Sequence, residues 1–147
     1  FNVIAGSARL EGTTRCFNND LGQKLPEIME RIITNTARSY RAEAKLKYVK
    51  GVPPTVNEAQ SADRAEKMTA NIYGQDALFE IPPVTGGEDF SFYLEKVPGV
   101  FIWLGAMSEE KGVTYEQHSE RFNINEKALE IGTTLHVQYA LDFLNES

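Results

Sequence analysis

The sequence predicts an α/β chain in two unlike halves, and three patterns predict it. Residues 8–17 and 42–49 alternate apolar and polar positions with period two, as half-buried strands do. Apolar residues recur at helical spacing in stretches beginning near residues 21, 62 and 129. Gly51-Val52-Pro53-Pro54-Thr55 breaks both periodicities and marks a boundary, giving halves of 1–54 and 55–147.

In the first half, Ala8, Leu10, Gly12, Thr14 and Cys16 fall on one face of a strand, with Arg9, Glu11, Thr13 and Arg15 on the other. Asn18-Asn19-Asp20 then offers helix-capping oxygens. Leu21, Leu25, Ile28, Met29, Ile32, Ile33 and Ala37 form one apolar stripe. Pro26 lies within it, so the first turn should end or bend there, with the regular helix running from Pro26. The next strand sets Ala42, Ala44, Leu46 and Tyr48 against Glu43, Lys45 and Lys47. A one-layer sheet with helices on one side follows.

In the second half, Ser61 or Asp63 can cap a helix bearing Ala62, Ala65, Met68 and Ile72, which Gly74 ends. Leu78-Phe79-Glu80-Ile81 is bounded by Pro82-Pro83. A glycine-rich turn, Thr85 to Asp89, leads into a short helix from Phe90 to Lys96, closed by Val97-Pro98-Gly99. Val100 to Leu104 has no polar residue, as expected of a strand buried on both faces. A final helix, about Glu126 to Leu144, is amphipathic through Leu129, Gly132, Leu135, Tyr139 and Phe143. No repeat or low-complexity segment interrupts this order.

The chain has 147 residues, 41% hydrophobic and 24% charged, a composition ordinary for a globular protein. Fifteen basic against twenty-one acidic residues leave a net charge of −6, with no basic face for a phosphate backbone, so nucleic acid is excluded as a partner. No apolar run approaches the roughly 18 residues that cross a bilayer, so no membrane is expected. One cysteine forms no internal disulfide and fits a cytoplasmic protein. The chain opens on Phe1 inside a structural element, so a piece of a longer protein is expected.

Three places could carry chemistry. His118 lies in the polar loop Tyr115-Glu116-Gln117-His118-Ser119-Glu120-Arg121-Phe122, after a buried strand. It is either an ordinary loop residue or a metal ligand whose partners lie elsewhere, since one imidazole holds no metal alone. Gly86-Gly87-Glu88-Asp89-Phe90 is either a helix N-terminus with acidic residues in its first turn, or a site where paired glycines let a ligand approach the backbone. It lacks the lysine of a phosphate loop. Asn2 and Arg15 offer an amide donor and a guanidinium fork for a carboxylate, or else Arg15 is a solvated surface residue. Cys16 and His136 read as structural, and Phe90, Phe92 and Tyr93 as core aromatics.

The order of these segments carries more than any one of them. Phe1-Asn2-Val3-Ile4, Leu10-Glu11-Gly12-Thr13-Thr14-Arg15, Gly51-Val52-Pro53-Pro54-Thr55-Val56-Asn57, Gly86-Gly87-Glu88-Asp89-Phe90-Ser91-Phe92-Tyr93 and His118-Ser119-Glu120-Arg121-Phe122 together resemble the M20 metallopeptidase family, collinearly and over nearly the whole chain. Its N-acyl-amino-acid amidohydrolase branch, which includes hippurate and indole-acetyl-amino-acid hydrolases, is most similar. Ala5 departs from the proline usual after Asn-Val-Ile.

The resemblance implies that residues 1–54 are the later part of an inserted ferredoxin-like lid, an α+β domain that mediates homodimerisation. Residues 55–147 would be the C-terminal part of an α/β zinc-peptidase-like catalytic domain. It implies two divalent ions per active site (zinc, manganese, nickel or cobalt), with His118 as the last metal ligand. Asn2 and Arg15 would bind the free carboxylate of an N-acyl amino acid, and Gly86, Gly87 and Glu88 would line its pocket. The reaction implied is metal-assisted hydrolysis of the amide. The general-base glutamate and the other ligands would lie upstream of Phe1, so the chain alone is expected to be an inactive fragment with no catalytic residue of its own. The alternative is a non-catalytic ferredoxin-like module for dimerisation or small-molecule binding.

Overall fold

The computed structural model of the chain describes residues 2–145. They carry α1 (Asn19–Ser39), α2 (Ala59–Tyr73), a 3-10 turn at Gln75–Ala77, α3 (Ser91–Leu94) and α4 (Lys127–Asn145). No strand is assigned among the described residues; Ser108 and Val113 form an isolated antiparallel bridge. Two compact units result, Phe1–Pro54 with Pro83–Asp89, and Thr55–Pro82 with Phe90–Ser147.

In the first unit α1 begins where the polar run predicts. The Asn18 side chain accepts from the Leu21 N–H at 2.8 Å and satisfies one of the first-turn donors. Contrary to expectation, α1 runs through Pro26 without ending there. The ring removes one donor, opposite the Gly22 carbonyl, and the continuous stripe outweighs that single lost bond. The helix closes in a left-handed turn at Arg41, φ 58°, where the Ala42 N–H reaches the Ala37 carbonyl at 2.9 Å and the Arg41 N–H reaches the Arg38 carbonyl at 3.0 Å.

The two segments read as strands keep part of their alternation. Ala44, Leu46 and Tyr48 are half-buried between exposed Glu43, Lys45 and Lys47, and Thr14 and Cys16 are half-buried around exposed Arg15. The Thr14 and Tyr48 hydroxyls meet at 2.7 Å, so the segments lie side by side at that point. Among the described residues no backbone ladder joins them. Leu10, expected on the dry face, is 90% exposed. Period two tells which side chains share a face; which backbone lies in register beside it is a separate matter.

In the second unit α2 packs on α4. Ala65 and Met68 of α2 and Ala128 and Leu135 of α4 are buried, Met68 the most completely at 2% exposure. The Arg64 guanidinium lies 5.6 Å from the Tyr139 ring centroid and 5.3 Å from that of Phe143, tying the two helices at their edge. The cap of α2 is Glu58, not Ser61 or Asp63: its carboxylate accepts from the Gln60 N–H at 2.9 Å and the Ser61 N–H at 2.7 Å. Ser61 is buried inside the helix. Gly74 ends α2 as expected, at φ 86°, a conformation few other residues adopt.

Residues 99–101 lie against the start of α2. The Glu58 N–H donates to the Gly99 carbonyl at 3.0 Å. The Asn57 side chain accepts from the Phe101 N–H at 2.8 Å and donates to the Phe101 carbonyl at 3.0 Å, doing with one amide what a neighbouring strand does with its backbone. The run beyond is more open than its composition predicts: Ile102, Trp103 and Leu104 are 40%, 47% and 39% exposed. Gly132 of α4 lets Leu104 approach, since a Cβ there would stand 3.1 Å from the leucine Cδ2.

Candidate functional site

His118 sits at the third position of a tight turn. The Ser119 N–H donates to the Glu116 carbonyl at 3.2 Å, and His118 has φ 69°, the positive value a type II turn requires at that place. For a residue with a Cβ this conformation costs about 1–2 kcal/mol, although histidine tolerates it better than most. Its presence here therefore reports a local structure strong enough to hold it.

That structure comes from both flanks. The Arg121 guanidinium donates to the Tyr115 hydroxyl at 3.1 Å, and its central carbon lies 5.5 Å from the Tyr115 ring centroid. A second turn follows, in which the Ser119 hydroxyl accepts from the Arg121 N–H at 3.2 Å and the Ser119 carbonyl accepts from the Phe122 N–H at 3.0 Å. The loop is anchored at its ends as well. Asn125 donates its N–H to the Ala106 carbonyl at 2.8 Å, and Lys111 reaches the Asn125 side chain at 2.9 Å.

The His118 imidazole is exposed and takes part in no hydrogen bond or ion pair among the described residues. Both ring nitrogens are open, which is the chemistry a metal ligand needs. The fit is to one ligand position. Among the described residues no group of three or more histidine, cysteine, aspartate or glutamate side chains converges to complete a shell. His136 differs: its Nδ1 lies 2.8 Å from the Gly132 carbonyl within α4.

The other predicted residues fall in the first unit. Asn2 and Arg15 are both exposed, and neither makes a hydrogen bond or ion pair among the described residues, so the Arg15 fork is open to an anion. Arg9, in the same segment, is instead paired with Glu11. The segment 83–89 folds onto this unit, and Gly87 meets Val52 so closely that a Cβ on it would lie 3.0 Å from the valine Cγ2. Gly86 has open space around its Cα. Glu88 is half-buried and lies ahead of α3, which begins only at Ser91, so the expected acidic first turn of a helix is not what these residues form.

Sequence reasoning missed Tyr115 and Arg121 as partners. They stand on either side of a turn, where neither strand nor helix periodicity relates them, and the aromatic-cation pairing across that turn is the one signal that could have found them.

The sequence profile of peptidase family M20/M25/M40 matches residues 3–142. Thermostable carboxypeptidase 2 of Saccharolobus solfataricus is 34% identical over 146 residues, which are 99% of this chain and 36% of that protein. The IAA-amino acid hydrolase ILR1-like 2 of Arabidopsis thaliana is 34% identical over 99% of this chain and 34% of its own length. The N-acetylcysteine deacetylase of Bacillus subtilis is 33% identical over 96% of this chain and 35% of its own. Among solved structures, the Bacillus subtilis YXEP protein, a dinuclear metal binding peptidase from the M20 family, matches with a TM-score of 0.75 at 29% identity, over 88% of this chain and 34% of that one. The chain thus spans about a third of the length of the relatives it matches. Its profile match runs through both halves, from Asn2's neighbour Val3 past His118 and into α4, and the chain belongs to peptidase family M20/M25/M40.

Proposed function

We propose that this chain is the C-terminal portion of a metal-dependent amidohydrolase that cleaves the amide bond of N-acyl amino acids, and that it is inactive by itself. The observation that carries this reading is His118, an open imidazole in a held turn within a chain that matches the family profile over residues 3–142. Two relatives are named for substrates of this kind, an IAA-amino acid hydrolase and an N-acetylcysteine deacetylase.

In this reading residues 1–54 belong to a lid of α+β type that mediates homodimerisation, with the extended segments 8–17 and 42–49 as its strands, and residues 55–147 to an α/β catalytic domain, with 100–104 as a strand. His118 contributes one nitrogen to a divalent ion (zinc, manganese, nickel or cobalt). A bound ion there would supply a Lewis acid for the amide carbonyl and an acidified water. Arg15 grips the substrate carboxylate through its fork, Asn2 adds an amide donor, and Gly86 and Gly87 let the acyl amino acid approach the backbone beside Glu88. The alternative, a non-catalytic binding or dimerisation module, gives the first unit a role and leaves His118 without one.

The test is His118→Ala in the full-length enzyme, beside the 147-residue chain refolded with manganese or zinc. The substitution should abolish turnover of N-acyl amino acids and lower metal content, and the chain alone should hydrolyse none. Metal-dependent turnover by the chain, or full activity in His118→Ala, would overturn the proposal.

A further inference from the structure

We propose that Tyr115 and Arg121 are positioning residues for His118, a cation–aromatic clamp that presets the turn from which the imidazole binds metal. The inference rests on the ligand reading of His118 above. The two residues stand three positions before and three after it, so their contact closes the loop with His118 at its midpoint. Outside the wider closure that Asn125 makes with Ala106 and Lys111, two contacts within residues 115–122 span the histidine. One is the backbone bond from Ser119 to Glu116 at 3.2 Å, and the other is Arg121 on Tyr115, at 3.1 Å to the hydroxyl and 5.5 Å to the ring. The other bonds within residues 115–122, Arg121 to the Ser119 hydroxyl and Phe122 to the Ser119 carbonyl, lie wholly after His118 and cannot restrain its φ.

A single backbone bond in an exposed loop competes with water and holds a positive φ weakly. The clamp adds a second restraint from a group that suits it. The guanidinium is flat, stays charged, and can lie on the ring while one N–H reaches the hydroxyl; a lysine ammonium offers no such plane. A ligand whose backbone is already set loses less freedom when the ion binds. Electrostatics taken alone has the opposite sign, because removing a cation near a metal ligand favours the metal. Weaker metal binding on loss of Arg121 therefore separates positioning from charge.

The experiment compares Arg121→Ala, Arg121→Lys, Tyr115→Leu and Tyr115→Phe in the full-length enzyme, reading the manganese dissociation constant and hydrogen exchange at the Ser119 amide. Arg121→Ala and Tyr115→Leu should weaken manganese binding roughly fivefold and speed Ser119 exchange by a similar factor, the change that losing one cation–aromatic contact gives. Tyr115→Phe keeps the ring and should stay within about twofold of the parent, with Arg121→Lys between. Tighter manganese binding in Arg121→Ala, or unchanged affinity and exchange in both disruptive variants, overturns the clamp when His118→Ala still lowers metal content. Unchanged metal content in His118→Ala overturns the ligand reading itself, and the clamp's role in metal binding with it.

Discussion

Glu58 and His118 are single residues whose neighbours set their chemistry. The Glu58 carboxylate is held below the usual glutamate range first by the Gln60 N–H, then by the Ser61 N–H and the Ser61 hydroxyl. A carboxyl with a depressed folded-state pKa contributes stability that is present above its unfolded value, near 4.3, and lost as pH falls through the folded one. Far-ultraviolet circular dichroism should therefore show α2 loosening below about pH 4 in the parent. Glu58→Ala should have a lower Tm at neutral pH and a flatter acid dependence, and an acid profile identical to the parent's would refute the cap. Arg41 and His118 share a left-handed φ, but differently: Arg41 occupies the closing position of a helix, where glycine is usual, while His118 stands in a free loop. The first is explained by the end of α1 alone. The second needs its flanks.

At the scale of elements, the energetics concentrate where α2 meets α4. Met68→Ala removes the most buried hydrophobic side chain of that contact and should cost about 2–4 kcal/mol, read as a lower urea midpoint at unchanged slope. Leu129→Ala, on a side chain 61% exposed, should change stability by less than about 0.5 kcal/mol. Equal losses would mean that the exposed face of α4 is packed after all. The helices were legible from apolar spacing, which places α4 within one residue of its observed ends at Lys127 and Asn145. Their caps were less so. Ser61 has the better intrinsic preference, yet Glu58 takes the role because its longer side chain reaches two N–H groups from outside. Faces were legible at Ala44, Leu46 and Tyr48, while pairing was not: the link between 57 and 101 runs through a side-chain amide, which no backbone pattern announces. His118 stood out by residue type and loop position. Its brace did not, because a contact across a turn leaves no periodic trace.

Across the whole molecule, the path of the chain matters as much as its elements. It leaves the first unit after Pro54, returns for 83–89, and leaves again at Phe90. The inventory of predicted site residues follows that path, with Asn2, Arg15, Gly86, Gly87 and Glu88 in the first unit and His118 in the second. The profile of the family covers residues of both units. A consequence follows from the short return segment. If a specific protease cut the chain once between Pro54 and Thr55, the severed N-terminal piece would still have a hostage: the strip 83–89, carried by the other piece, whose Gly87 lies against Val52. The nicked protein should co-elute as one species on gel filtration. Gly87→Val, which sets a branched side chain into that 3.0 Å gap, should let the two pieces part. Immediate separation of the unmodified pieces would show that the strip does not bind them. Co-elution would make Gly87 a latch, a fastening between stretches of chain that are distant in sequence.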